Sequence, residues 1–242
     1  MTADPQIRIF PDADALAEAV ADAFIKIATD AITQCGRFIV SLSGGSTPKR
    51  LYHLLATVHK NSLDWSKAVF LFGDERDVPP DHDASNFRMA NETLLKPIAA
   101  CSSQIHRWQT ELGDRQETAR IYNETIRSLG QSLDLCLLGL GDDCHTASLF
   151  PHSEALNEDE LLAVANHVRQ LDEWRYTMTL PAINASRNVM FLVAGSGKAA
   201  AVDAVLMGKT DTDARPAQAV KPDSGRLFWF IDAAAAARLE HG

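Results

Sequence analysis

Arg37-Phe38-Ile39-Val40-Ser41-Leu42-Ser43-Gly44-Gly45-Ser46-Thr47-Pro48 is the stretch on which the fold reading turns. Arg37 to Leu42 reads as a strand that does not alternate between apolar and polar residues, the mark of a strand covered on both faces. Ser43 to Pro48 is a glycine turn, and Pro48 to Val58 reads as a helix. The two glycines let the backbone approach a ligand closely. Ser46 or Thr47 can cap the helix, and Pro48 fits its first turn. A helix start of this kind offers free N–H groups and a positive dipole end to an anion.

The same alternation continues on both sides of this unit. Ile7 to Phe10 is a strand and Asp12 to Thr33 an Ala-rich helix. Ala68 to Phe72 is a strand, Ala84 to Leu95 a helix, Gln104 to Trp108 a short strand and Asp114 to Leu129 a helix. Leu133 to Leu140 is a continuous apolar strand. Leu161 to Ala165 and Tyr176 to Leu180 are shorter strands. Val189 to Ala194 is a strand, Lys198 to Leu206 a helix and Leu227 to Ile231 a last strand. Glu154 to Glu160 and Thr210 to Asp223 read as surface loops. Non-alternating strands separated by helices predict an α/β fold, with a mostly parallel sheet and helices on both faces. No repeat or long linker divides residues 1–242, so a single domain is expected.

Composition narrows the function classes. Of 242 residues, 46% are hydrophobic and 23% charged, which suits a globular protein with a real core. No apolar run approaches the ~20 residues that span a bilayer, so no membrane partner is expected. Met-Thr-Ala-Asp-Pro-Gln at the start has neither the basic end nor the apolar stretch of a signal peptide. With 23 basic and 32 acidic residues the net charge is −9, a poor basis for nucleic-acid binding. The same balance makes any local basic cluster informative. Cys35, Cys101, Cys136 and Cys144 form no Cys-x-x-Cys pair, so reduced thiols in the cytoplasm are expected.

The unusual residues fall where strands end. Ser43 to Pro48 follows one strand and Gly73-Asp74-Glu75-Arg76 another. Gly139 to His145 closes a third, and Gly195-Ser196-Gly197-Lys198 a fourth. Ligands of open α/β sheets bind outside the carboxyl ends of the strands, so four clusters there imply one shared site. Three familiar motifs fail by spacing. The first glycine of a P-loop would fall on Leu192, and Ala199 follows Lys198 in place of Ser or Thr. The third glycine of a dinucleotide fingerprint begun at Gly139 would fall on Cys144. A nucleophile elbow at Ser43 would need glycine where Ser41 stands. Asp143 and His145 form a candidate acid–base pair, because a carboxylate can orient an imidazole and stabilise its cation. Lys198 opens a helix, where its charge opposes the dipole, which suggests a duty outside the helix. His53, His59, His82, His106, His152, His167 and His241 show no metal-ligand spacing, and no metal or other cofactor is expected.

Four stretches together resemble the 6-phosphogluconolactonase family. They are Ser-Gly-Gly-Ser-Thr-Pro at 43–48 and Asp-Glu-Arg-x-Val-Pro from Asp74, with Ser85-Asn86 downstream. The others are Leu-Gly-x-Gly-x-Asp-x-His-Thr-Ala-Ser-Leu-Phe-Pro at 138–151 and Arg-Tyr-Thr-Met-Thr-x-Pro-x-Ile-Asn at 175–184. Gly197-Lys198 and Pro216 to Ala236 fit as well. The resemblance spans nearly the whole chain. It implies one Rossmann-like domain, related to glucosamine-6-phosphate isomerase/deaminase, that hydrolyses 6-phosphogluconolactone to 6-phosphogluconate in the oxidative pentose phosphate pathway. It implies no cofactor, and a sugar-phosphate lactone as the partner molecule of a monomer or small homo-oligomer. His145 corresponds to the catalytic base and Asp143 to its neighbouring acid. Ser43, Gly44, Gly45, Ser46 and Thr47, with Asp74, Arg76, Arg175 and Lys198, correspond to substrate and phosphate contacts. The family usually carries Gly where Cys144 stands.

Two other readings stay open on the sequence. The related isomerase/deaminase would use Asp74 to abstract a proton. It also wants a carboxylate soon after the His, and Thr146 to Ser153 supplies none. A non-catalytic sugar-phosphate sensor would usually carry a DNA-binding domain, for which an acidic chain of this length leaves little room.

Overall fold

Continuous apolar segments become the middle of a sheet because only burial on both sides satisfies them. The computed structural model describes residues 4–239; Met1 to Ala3 and His241 lie outside the described residues. Every residue of β2 (Phe38–Leu42), β5 (Leu135–Leu138) and β8 (Asn188–Val193) is buried. With β1 (Gln6–Phe10), β3 (Ala68–Phe72) and β9 (Arg226–Asp232) they form a six-stranded sheet in the order β1-β9-β8-β5-β2-β3. All of its pairings are parallel. The α/β architecture is therefore the one expected.

The longest helix, α1 (Ala13–Cys35), shows why sequence placed it well. Asp12 caps it by accepting from the Asp14 and Ala15 N–H groups at 2.9 Å. Leu16, Val20, Phe24, Ile27 and Ala31 recur at helical spacing and are buried. α2 (Ser46–Thr57) follows β2, and α3 (Asn86–Ala90) opens behind Ser85. α4 (Arg115–Ser128) is capped by Asp114. α5 (Leu180–Asn184) and α6 (Ala199–Leu206) complete the helices used below. No described helix is long and apolar enough to cross a membrane.

Several sequence expectations need correction. Gln104 to Trp108 is not a strand; only a Phe70–Ile105 bridge forms. The His106 N–H donates to the Phe70 carbonyl at 2.8 Å, and side chains take the rest of the β3 edge. Gln104 Nε2 donates to the Ala68 carbonyl at 2.7 Å, and Trp108 Nε1 and the Tyr122 hydroxyl donate to the Phe72 carbonyl. The helix expected over Ala84 to Leu95 is regular only over α3; a wider turn follows over Asn91–Leu95. Helix α2 is not capped by Ser46 or Thr47. It starts at Ser46, so Gly45 takes the cap position and no side chain caps it. The strand expected over Tyr176 to Leu180 runs instead over Glu173–Met178, because Leu180-Pro181 already begins α5. The Thr210 to Asp223 segment is only partly a surface loop, since Pro216, Ala217, Val220 and Pro222 are buried.

A second sheet was not expected. β4 (Asp74–Arg76), β7 (Glu173–Met178) and β6 (Ala163–Val168) pair antiparallel in the order β4-β7-β6. β4 leaves the main sheet directly after Gly73, so the small sheet stands beside the carboxyl end of β3. In the main sheet β2 lies between β3 and β5, and the chain order reverses there. Such a switch point opens a crevice above the strand ends.

Candidate active site

The turn after β5 carries Asp143 and His145, the candidate acid–base pair. The Gly141 N–H donates to the His145 carbonyl at 2.8 Å, which folds Asp143 back under His145. Asp143 Oδ1 accepts from the His145 backbone N–H at 3.1 Å and lies 2.5 Å from ring Nδ1. A carboxylate only accepts, so Nδ1 carries a proton, and in the neutral imidazole Nε2 keeps its lone pair. Phe150 stacks on the ring with centroids 4.1 Å apart. A Cβ at Gly141 would lie 2.1 Å from Nδ1, so only glycine lets the ring sit there. Partial burial works to raise the Asp143 carboxyl, but the hydrogen bond and charge of His145 outweigh it and hold it below the ordinary range.

His145 faces a cavity of about 260 Å³ at the β2/β5 switch point. Ser43, Gly44, Gly45, Asp74, Arg76 and Lys198 line it too. Gly45 has φ 105°, a left-handed backbone suited to glycine, and turns the chain from β2 into α2. The first backbone bond of α2 runs from the Lys49 N–H to the Gly45 carbonyl, which leaves earlier N–H groups outside the helical ladder. Lys198 Nζ contacts Asp142 Oδ1 at 2.7 Å, so an anion bound there must compete with an exposed carboxylate.

The small sheet sets Arg76. Arg76 on β4 stands directly opposite Arg175 on β7. Two like charges in that register repel and would weaken the pairing. The Nε atoms of both are buried without a hydrogen-bond partner. An anion beside Arg76 would satisfy both the charge and the missing acceptor. Glu75, between Asp74 and Arg76, points away and accepts from the Asn86 and Phe87 N–H groups at 2.8 Å and from the Ser85 hydroxyl. Burial pushes its carboxyl up, against these donors.

The structure thus brings Ser43, Gly44, Gly45, Asp74, Arg76, His145 and Lys198 together around one cavity. Asp143, Ser46, Thr47 and Arg175 are not among its lining residues. Asp143 reaches the cavity only through its contact with His145 Nδ1, and Arg175 pairs with Glu173 at 2.5 Å behind Arg76. Asn86, Gly139, Leu140, Gly141 and Ala147 also line the cavity. In sequence Asn86 stands out only as part of a motif; its Nδ2 donates to Asp74 Oδ1 at 3.0 Å, a contact that no spacing rule reveals. A larger cavity of about 660 Å³, by His152, His167 and Trp174, is lined by none of the candidate residues. Among the described residues, no three His, Cys, Asp or Glu side chains group as a metal site.

The family model for glucosamine-6-phosphate isomerases/6-phosphogluconolactonase matches residues 11–229. The chain belongs to that family. It is 39% identical to 6-phosphogluconolactonase from Nostoc sp., over 96% of this chain and 98% of the relative. It is 34% identical to the Mycobacterium tuberculosis 6-phosphogluconolactonase, with 96% and 98% covered. The solved structure of 6-phosphogluconolactonase from Trypanosoma brucei superposes with a TM-score of 0.86, at 28% identity and with 99% and 100% of the two chains covered.

Cys144 stands where the resemblance leads glycine to be expected. Its φ is 68°, so it keeps the left-handed backbone that glycine would supply. Its Sγ is 3.9 Å from the Ala201 carbonyl of α6, and the side chain is part of the buried core. Burial raises the thiol, which disfavours the thiolate.

Proposed function

We propose that this cleft hydrolyses 6-phosphogluconolactone to 6-phosphogluconate, with His145 as general base. The observation that carries the reading is an Asp143-oriented imidazole facing the same cavity as the glycine turn, Arg76 and Lys198. The family relationship and the names of the full-length relatives support it. The phosphate binds among the α2 N-terminus, Arg76 and Lys198, which fixes the ring carbonyl near Nε2. His145 Nε2 takes a proton from water as the water oxygen bonds to the carbonyl carbon. The tetrahedral oxyanion is stabilised by Arg76 or by backbone N–H groups. The ring C–O bond then breaks, and the proton passes from Nε2 to the departing alkoxide. A single positioned base contributes ~10²–10⁴-fold, enough to speed opening of an activated ester. We assign the reaction to the cytoplasm, a compartment in which free cysteines such as these stay reduced.

The test is turnover of 6-phosphogluconolactone measured beside glucosamine 6-phosphate, corrected for spontaneous lactone opening. Lactone hydrolysis with no release of ammonia is expected. Ammonia release at a comparable rate would move the assignment to the isomerase/deaminase branch.

A further inference from the structure

Ser148 lies three residues after His145 and is buried, though it is a small polar residue outside any strand or helix. All of its polar groups are engaged, each with a different strand of the small sheet. Its hydroxyl donates to Asp74 Oδ2 on β4 at 2.8 Å. Its backbone N–H donates to Thr177 Oγ1 on β7 at 3.2 Å. Its carbonyl accepts from Asn166 Nδ2 on β6 at 2.9 Å. Asp74, Thr177 and Asn166 are themselves buried, so these bonds have little competition from water.

The segment held in this way is the one that carries the imidazole. Thr146 bridges to Leu149 across Ser148, and the Thr146 hydroxyl donates to the Gly139 carbonyl at 2.9 Å. Between Thr146 and Ser148, Ala147 has φ 48°, a left-handed backbone that persists only where its surroundings enforce it. His145 belongs to the main sheet through β5, whereas Arg76 and Asp74 belong to the small sheet through β4. Apart from the chain itself, something must hold these two halves of the cavity in register.

We propose that Ser148 is the positioning residue that locks the His145 turn to the small sheet, with Asn166 as its outer support. Ser148 does not line the cavity and takes no part in bond making. Its effect on turnover rests on the lactonase reading above. Loosening a catalytic group by a fraction of an ångström lowers the rate without removing the groups that bind substrate.

The experiment measures kcat, KM and thermal unfolding of Ser148→Ala and Asn166→Ala beside the wild type. It adds ¹H NMR of the His145 Nδ1–H, assigned by its disappearance in His145→Ala. Each variant deletes one hydrogen bond and leaves the backbone sequence intact. Tenfold or greater loss of kcat with KM within twofold is expected, together with a broadened or lost Nδ1–H signal. Asn166→Ala supplies the same comparison if Ser148→Ala does not fold. A folded variant with wild-type kcat and an unchanged Nδ1–H signal would overturn the proposal, as would a loss confined to KM. If the wild type leaves the lactone untouched while Ser148→Ala still disturbs the Nδ1–H, the functional reading falls and the positioning role stands.

Discussion

Cys144 and Asp143 flank the structural question at His145. A left-handed backbone costs an L-residue ~1–2 kcal/mol relative to glycine. Cys144 adopts it at φ 68°, and its side chain recovers part of that cost by packing in the core near α6. Sequence could state only the condition, that a glycine-like φ would strain the cysteine; the sign of φ had to come from the fold. Cys144→Gly is therefore expected to retain kcat within a few-fold, with strain relief and lost packing nearly cancelling in stability. A collapse of kcat in the folded variant would make the thiol a chemical participant. Asp143 yields a pH prediction. Its carboxyl lies below the ordinary 3.8 in the folded chain. A depressed acid stabilises the fold above its unfolded pKa, and that stability disappears as pH falls through the folded value. Unfolding free energies of wild type and Asp143→Asn should thus differ at neutral pH and converge below about pH 4. Because the side chain is nearly half exposed, the gap should be ~1 kcal/mol or less. A gap that widens below about pH 4 would contradict a carboxyl held below its ordinary value.

At the scale of elements, the strands divide into those that sequence reveals and those that pairing creates. β2, β5 and β8 were legible because strands covered on both faces are written as apolar runs. β4 was not, because Asp-Glu-Arg has no strand signature; it is a strand only because β7 pairs with it. Gln104 to Trp108 fails as a strand for the converse reason, since one backbone bond, from the His106 N–H to the Phe70 carbonyl, reaches β3, and its Gln and Trp side chains take the other carbonyls. The glycine turn, Asp74, Arg76 and Lys198 were legible as strand-end clusters, but the facing of Arg76 and Arg175 was not. That facing ranks the basic residues. Arg76→Ala should weaken 6-phosphogluconate binding by ~2 kcal/mol or more, because its Nε is buried beside the cleft with no hydrogen-bond partner among the described residues. Lys198→Ala should cost less, since water reaches Lys198 and Asp142 already neutralises it. Arg175→Ala should act mainly through Arg76 and cost least. Calorimetric titration of the three variants checks the order, with gluconate as the phosphate-free control. Equal losses for both ligands would indicate damage to the fold and not to an anion site.

Over the whole molecule, two sheets divide the chemistry. The main sheet brings the glycine turn and the His145 turn to adjacent strand ends, β2 and β5, at its switch point. The small sheet adds Asp74 and Arg76 from the side. On the proposed reading an acidic chain can still hold an anion, because Arg76 and Lys198 meet at one crevice. In the same reading His145 moves the proton, while the α2 N-terminus, Arg76 and Lys198 hold the phosphate. The most direct test is one variant read in two ways: kcat for 6-phosphogluconolactone and the Kd of 6-phosphogluconate, both for His145→Ala. The expected result is a kcat lower by ~10² or more, after subtraction of spontaneous opening, with Kd close to that of the wild type. Near-normal turnover by the folded variant would contradict His145 as the base, and loss of product binding in step with turnover would contradict the division of the cleft.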